Sequence, residues 1–169
     1  MKRFYSGKTY THATGHSCAF RQWRADSHCN LIHGYALQFE FTFGCDELDD
    51  RNWAVDFGGL KPLKEWLKYM FDHTYLLASD DPEFETFQML ADKGLIDLRV
   101  VGSTGCERFA EQAFDEAERI VNDISNGRCW VQKVTVKEHD ANSATCELAD
   151  TQKVRFTMDP ELNIMKNDE

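Results

Sequence analysis

From His33 to Phe43 every second position carries a ring or a leucine: His33, Tyr35, Leu37, Phe39, Phe41 and Phe43. A period of two is what one buried face of a β-strand requires, because residues two apart point the same way. A strand this rich in aromatics is expected to be half buried, and it makes a sheet the framework of the fold. Its first residues also carry chemistry. His33 and Tyr35 point together to one face where the strand begins, and such a pair can hold a metal between them. Cys29 lies four residues before His33, in the incoming loop, and can hang over the same spot. Gly34 lets the backbone approach something closely or bend sharply.

The other elements follow from their own periods. Residues 3–16 read as a first strand, with His12, Thr14 and His16 on one face. Residues 17–32 read as a loop. Its Arg21 and Arg24 are either solvated charges or a clamp for a phosphate-bearing substrate. Asp56 caps a first long helix with Gly58, Gly59 and Pro62 near its first turn. Leu60, Leu63, Leu67, Met70 and Phe71 form that helix's core-facing stripe, and Asp72-His73 ends it. A short helix is expected from Phe84 to Asp92, then an extended stretch at 98–101. Thr104-x-x-Glu107 fits a capping box opening the second long helix. Phe109, Ala113, Ala117, Ile120, Val121 and Ile124 are its buried stripe, and Asn126-Gly127 stops it. Residues 130–138 alternate as a third strand, with Val134, Val136 and Glu138 on one face. A carboxylate there needs a partner, either a cation or a ligand with two adjacent N–H donors. Residues 144–157 form a fourth strand or a hairpin. The order predicts an α+β fold, a four-stranded antiparallel sheet with two long helices on one face. Its open edges predict pairing between copies.

A length of 169 residues fits one domain, placed at 1–158 with a polar, loose tail at 159–169. The formal net charge of -10 argues against a nucleic-acid partner. No apolar run approaches ~18 residues, so no membrane span is expected. The Met1–Tyr5 start does not resemble a secretory signal. The six cysteines include no Cys-x-x-Cys pair. A zinc ribbon or redox dithiol is therefore not expected, and the thiols are read as reduced in a cytoplasm. Cys45, Cys129 and Cys146 read as small buried or half-buried residues.

In this order the motifs resemble the 6-pyruvoyl-tetrahydropterin synthase family. The nearer branch is the bacterial 6-carboxytetrahydropterin synthases of queuosine and other 7-deazaguanine biosynthesis. The resemblance covers residues 4–148. It is carried by His16 at the first strand's end, Cys29-x-x-x-His33-Gly34, Ala54-Val55-Asp56-Phe57 with Leu60-Lys61, Asp72-His73-x-x-Leu76, Glu107-x-x-Ala110 and Val136-Lys137-Glu138. It implies a tunnelling-type fold, a homo-trimer or homo-hexamer, and a divalent metal, zinc first, held by three histidines. His16 and His33 match two of those positions, and Tyr35 stands in the third. His12 is the alternative to Tyr35, with His28 and Cys18 more distant. A site with an oxygen donor in place of a nitrogen would be less zinc-selective.

The resemblance also implies a substrate, 7,8-dihydroneopterin triphosphate. It would be converted to 6-carboxy-5,6,7,8-tetrahydropterin with loss of triphosphate and acetaldehyde. Cys29 would be the base that takes a proton from carbon, and Asp72 with His73 would relay protons. Glu138 would hold the pyrimidine edge, with Thr104 and Glu107 as further substrate contacts. Gly105 and Cys106 stand where the family's threonine usually lies. The pyruvoyl-forming synthase and a non-catalytic pterin- or metal-binding paralogue are the alternative outcomes.

Overall fold

The computed structural model describes residues 2–149. The expected tail at 159–169, and the part of the expected hairpin beyond 149, lie outside the described residues. Seven strands, β1 (Phe4–Tyr10), β2 (His16–Phe20), β3 (His33–Cys45), β4 (Thr74–Ala78), β5 (Leu98–Val101), β6 (Cys129–His139) and β7 (Asn142–Glu147), form one sheet with three helices. The helices are α1 (Lys61–Phe71), α2 (Phe84–Asp92) and α3 (Cys106–Ser125). Strand order is β5-β4-β2-β3-β6-β7, and β1 also pairs with β3. No helix among the described residues is long and apolar enough to cross a membrane.

The α+β class stands, while the sheet is larger than four strands and is mixed. β4 runs parallel to β2, and β5 parallel to β4. The cause is the run Thr74-Tyr75-Leu76-Leu77-Ala78, in which all five residues are buried. A strand covered on both faces shows no alternation, so a search for period two passes over it. Leu76 joins the main core, whereas Tyr75 and Leu77 point the other way onto Phe87 of α2. The helices therefore lie on both faces: α1 and α3 on one, α2 on the other.

The expected first strand is two strands. The chain turns at His12–Thr14, and Gly15 takes a left-handed conformation with φ 84°. β1 then pairs with one half of β3, Tyr10 opposite Phe39, and β2 with the other half, Phe20 opposite His33. The stretch read as a loop at 17–32 thus begins with a strand.

The main core sits between β3 and the two long helices. Leu37, Phe39, Phe41 and Phe43 meet Leu63, Leu67 and Phe71 of α1 and Phe109, Ala113, Ala117 and Val121 of α3. The Phe39, Phe71 and Phe109 rings pack in series at 4.8 and 5.5 Å. Each fully buried phenylalanine contributes about 1.5–3 kcal/mol. Ile124, expected in this stripe, is exposed.

Capping differs at the two helices. Asp56 Oδ1 accepts from the Gly58 N–H at 2.8 Å, but it caps a short 3-10 turn at Phe57–Leu60, and α1 itself begins after Leu60 without a side-chain cap. Thr104 does not cap α3. Its hydroxyl donates to the Arg21 carbonyl at 2.6 Å, and Gly105 takes the N-cap place. Asn126 at φ 52° and Gly127 at φ 76° end the helix as expected.

Arg21 and Arg24 are neither free solvated charges nor a free clamp. Arg21 donates to both Asp81 oxygens, at 2.8 and 2.6 Å, and Arg24 pairs with Asp80. The Asp81 side chain is fully buried. Hydrogen bonding from Arg21, more than any other contact, holds its carboxyl below the usual carboxylate range. Arg21→Ala leaves that charge buried and alone, which should cost about 3–5 kcal/mol at neutral pH by urea denaturation. A lowered carboxyl pKa stabilises above the unfolded value near ~3.9 and ceases to as pH falls through the folded value. The gap between wild type and variant should therefore narrow below about pH 4.

Candidate active site

The site is built where β2 and β3 begin to pair. Gly34 is required there: a Cβ at that position would lie 2.3 Å from the Cys18 carbonyl oxygen. This close approach seats Cys18 opposite Tyr35 and Phe20 opposite His33. The His33 ring lies 4.7 Å from Phe20 and 5.8 Å from Tyr35, centroid to centroid. His33 Nδ1 is 2.7 Å from the Leu31 carbonyl. A carbonyl only accepts, so Nδ1 carries a proton and the neutral ring keeps one lone pair, on Nε2.

The charges of three further groups act on Tyr35. Burial raises its phenol above the usual range, and the negative charges of Glu138, Cys29 and Cys106 add to this. Cys106, the first residue of α3, is buried. Its thiol is pushed far above the usual range, first by burial and then by the charge of Glu138. Burial alone pushes the Cys18 thiol up to about 12. Cys29 sits in a single helical turn at His28–Asn30, capped by Ser27, and is half buried. His139 closes the far side, 6.1 Å from the Tyr35 ring.

Asp72 and His73 form a dyad at the mouth of β4. His73 Nδ1 donates to Asp72 Oδ1 at 2.6 Å, and the His73 N–H donates to the Ser17 carbonyl at 2.7 Å. His73 lines a cavity of about 450 Å³ with Ser17, Cys18, Gly34, Tyr35 and Thr74. The dyad thus shares a wall with the Tyr35 cluster.

Some expected residues stay apart. His16 pairs with Leu37 and is buried between Tyr10 and Phe39, at 6.2 and 5.7 Å between centroids. It stands four residues along β2 from Phe20, about 13 Å at strand rise. It does not join His33. His12 contacts the Ala36 carbonyl through Nδ1. Thr104 has spent its hydroxyl on Arg21, and Glu107 is exposed on the first turn of α3. Phe20 and Cys106 are the members that sequence reading missed. Phe20 shares a face with Cys18, a period-two signal hidden in a stretch taken for a loop.

A catalytic zinc takes three protein donors and keeps an open position. Here the shared face offers one imidazole nitrogen and one phenol, with a phenylalanine across the strand. No group of three His, Cys, Asp or Glu side chains converges among the described residues. The donors do not fit the expected His16, His33 and Tyr35 set.

Residues 9–149 match the family described as 6-pyruvoyl tetrahydropterin synthase. A 6-carboxy-5,6,7,8-tetrahydropterin synthase of Aquifex aeolicus is 25% identical over 79 residues, which is 47% of this chain and 49% of that protein. The chain thus matches about half of that relative's length. An uncharacterized protein of Wolinella succinogenes superposes with TM-score 0.71 at 16% identity, covering 88% of this chain and 98% of that one. A 6-pyruvoyl tetrahydropterin synthase of Plasmodium falciparum superposes with TM-score 0.62 at 12% identity, covering 86% and 98%. These likenesses show the same fold.

Thiol reactivity follows from this geometry. Cys18, Cys45, Cys106 and Cys129 are buried, and burial raises the thiol of the half-buried Cys146. Iodoacetamide at pH 7.5 should label Cys29 first, with the modified peptide identified by mass spectrometry. Faster labelling of Cys106 would contradict the burial described.

Proposed function

This chain belongs to the 6-pyruvoyl tetrahydropterin synthase family, and from that premise we propose that it acts on a reduced pterin carrying a side chain, of the 7,8-dihydroneopterin triphosphate type. One observation carries the reading: Glu138 stands at the end of an otherwise apolar strand face, beside Tyr35 and Cys106. A carboxylate in that place is matched by a ligand edge with two adjacent N–H donors, as a pterin's pyrimidine ring has.

The roles follow from position. Glu138 accepts the paired N–H groups. Cys29, the accessible thiol near Tyr35, takes a proton from the side-chain carbon as thiolate. The Asp72–His73 dyad returns protons, with the carboxylate orienting the imidazole. Tyr35 keeps its phenolic proton and serves as a donor to a side-chain oxygen. Glu107 contacts the substrate from the first turn of α3, and Thr104 fixes the turn before it. With one water added, the substrate loses triphosphate and acetaldehyde, leaving 6-carboxy-5,6,7,8-tetrahydropterin. The Cys29-x-x-x-His33 spacing and the Aquifex relative support this outcome over the pyruvoyl-forming one. The product belongs to a 7-deazaguanine route in the cytoplasm. A second reading, pterin binding without turnover, is favoured by Phe20 opposite His33.

The assembly is proposed as a homo-trimer or homo-hexamer, since β5 and β7 end the sheet without further partners among the described residues. Light scattering should give a multiple of the 19.6 kDa chain. The decisive assay supplies 7,8-dihydroneopterin triphosphate and measures acetaldehyde. Cys29→Ala should keep binding and lower turnover by about 10²–10⁴. Glu138→Gln should weaken binding by about 1.5–3 kcal/mol, because an amide offers one acceptor where the carboxylate offers two. Tight binding with no acetaldehyde selects the second reading, and no pterin binding overturns both.

A further inference from the structure

We propose that this pocket binds its ligand without a metal ion, its metal place being filled by Phe20 and Tyr35. The inference rests on the family membership and not on the identity of the substrate.

The argument is one of register. On the shared face of the β2–β3 pair, one row holds Phe20 and His33, and the next holds Cys18 and Tyr35. A nitrogen donor able to meet His33 from the neighbouring strand would have to come from position 20. Phe20 occupies it with no solvent exposure. Its ring is fixed by His33 at 4.7 Å, Tyr35 at 6.3 Å and, edge to face, Phe109 at 5.0 Å. In an interior packed to this density the ring cannot swing aside to admit an ion.

Neither remaining histidine of the first segment replaces it. His16 shares the face but lies about 13 Å along the strand. Ligating nitrogens must all lie about 2 Å from one zinc. His12 turns its Nδ1 to the Ala36 carbonyl. His33 itself commits Nδ1 to Leu31 and has one lone pair to give. Cys106 is buried at the first turn of α3. What the place offers instead is an apolar ring, one phenolic O–H and one imidazole nitrogen. The phenol and the imidazole hold a partly polar ligand by two hydrogen bonds, against the wall closed by the buried Phe20 ring.

The test begins with the whole chain, purified from zinc-supplemented culture and dialysed against metal-free buffer. Mass spectrometry of the elements should find far less than one zinc, iron or manganese per chain. Zinc titration against a chromophoric chelator should show no tight site. Tyr35→His together with Phe20→His completes three nitrogens with His33, and this double variant should then take up one zinc per chain. Tyr35→His alone, which leaves the core ring in place, should not. One metal per wild-type chain, lost in His33→Ala, would overturn the proposal. That measurement stands even if the double variant fails to fold. Binding of 7,8-dihydroneopterin should be the same with and without EDTA. Binding abolished by EDTA and restored by zinc would also overturn it. Absence of pterin binding in a metal-free chain would instead sink the substrate reading and leave the metal proposal standing.

Discussion

The pairing of β2 with β3 is the contact on which the rest depends. Cys18 and Gly34 approach so closely that the carbonyl of one occupies the space of a side chain on the other. A single methyl group there would push the strands apart, and a slip of one residue would turn Phe20, His33 and Tyr35 to the opposite face. The same register carries Leu37 and Phe39 into the core above α1 and α3. Site and core are therefore two halves of one strand, and neither can shift without the other.

The polar end of that strand is unusual in its charge. Glu138, Cys106, Cys29 and Tyr35 are all groups that ionise to anions, gathered against buried apolar surface. Burial and mutual repulsion keep Tyr35 and Cys106 in their neutral, proton-bearing forms. The cluster thus presents hydrogen-bond donors around one acceptor, Glu138. Such a constellation recognises a ligand by its pattern of donors and acceptors and not by its charge.

Much of this was legible from spacing alone. The alternation of β3, the stripes of α1 and, up to Val121, of α3, and the Asn126-Gly127 stop depend on local pattern and appear where the pattern puts them. Tyr35 lies two residues beyond His33 on the same face of β3, as the alternation requires, and their rings are 5.8 Å apart. What was not legible depends on non-local geometry. β4 is covered on both faces and so lacks alternation. Thr104 looks like a cap until the Arg21 carbonyl arrives from 83 residues away to take its hydroxyl. His16 ends a readable period-two run, but Gly15 breaks the strand just before it. That break sets His16 opposite Leu37 and leaves the place beside His33 to Phe20. No spacing rule contains this, because it depends on where the second strand starts.

The same non-locality governs charge. Arg21 and Arg24 look available in the sequence, yet Asp81 and Asp80 consume both. Asp81 is wholly buried, so Arg21 cannot leave it for a phosphate without exposing the pair to the penalty of an unpaired buried charge. In a chain of net charge -10, an anionic ligand must then find its cations outside this loop. Neither Arg21 nor Arg24 is therefore a free cation at this end of the sheet.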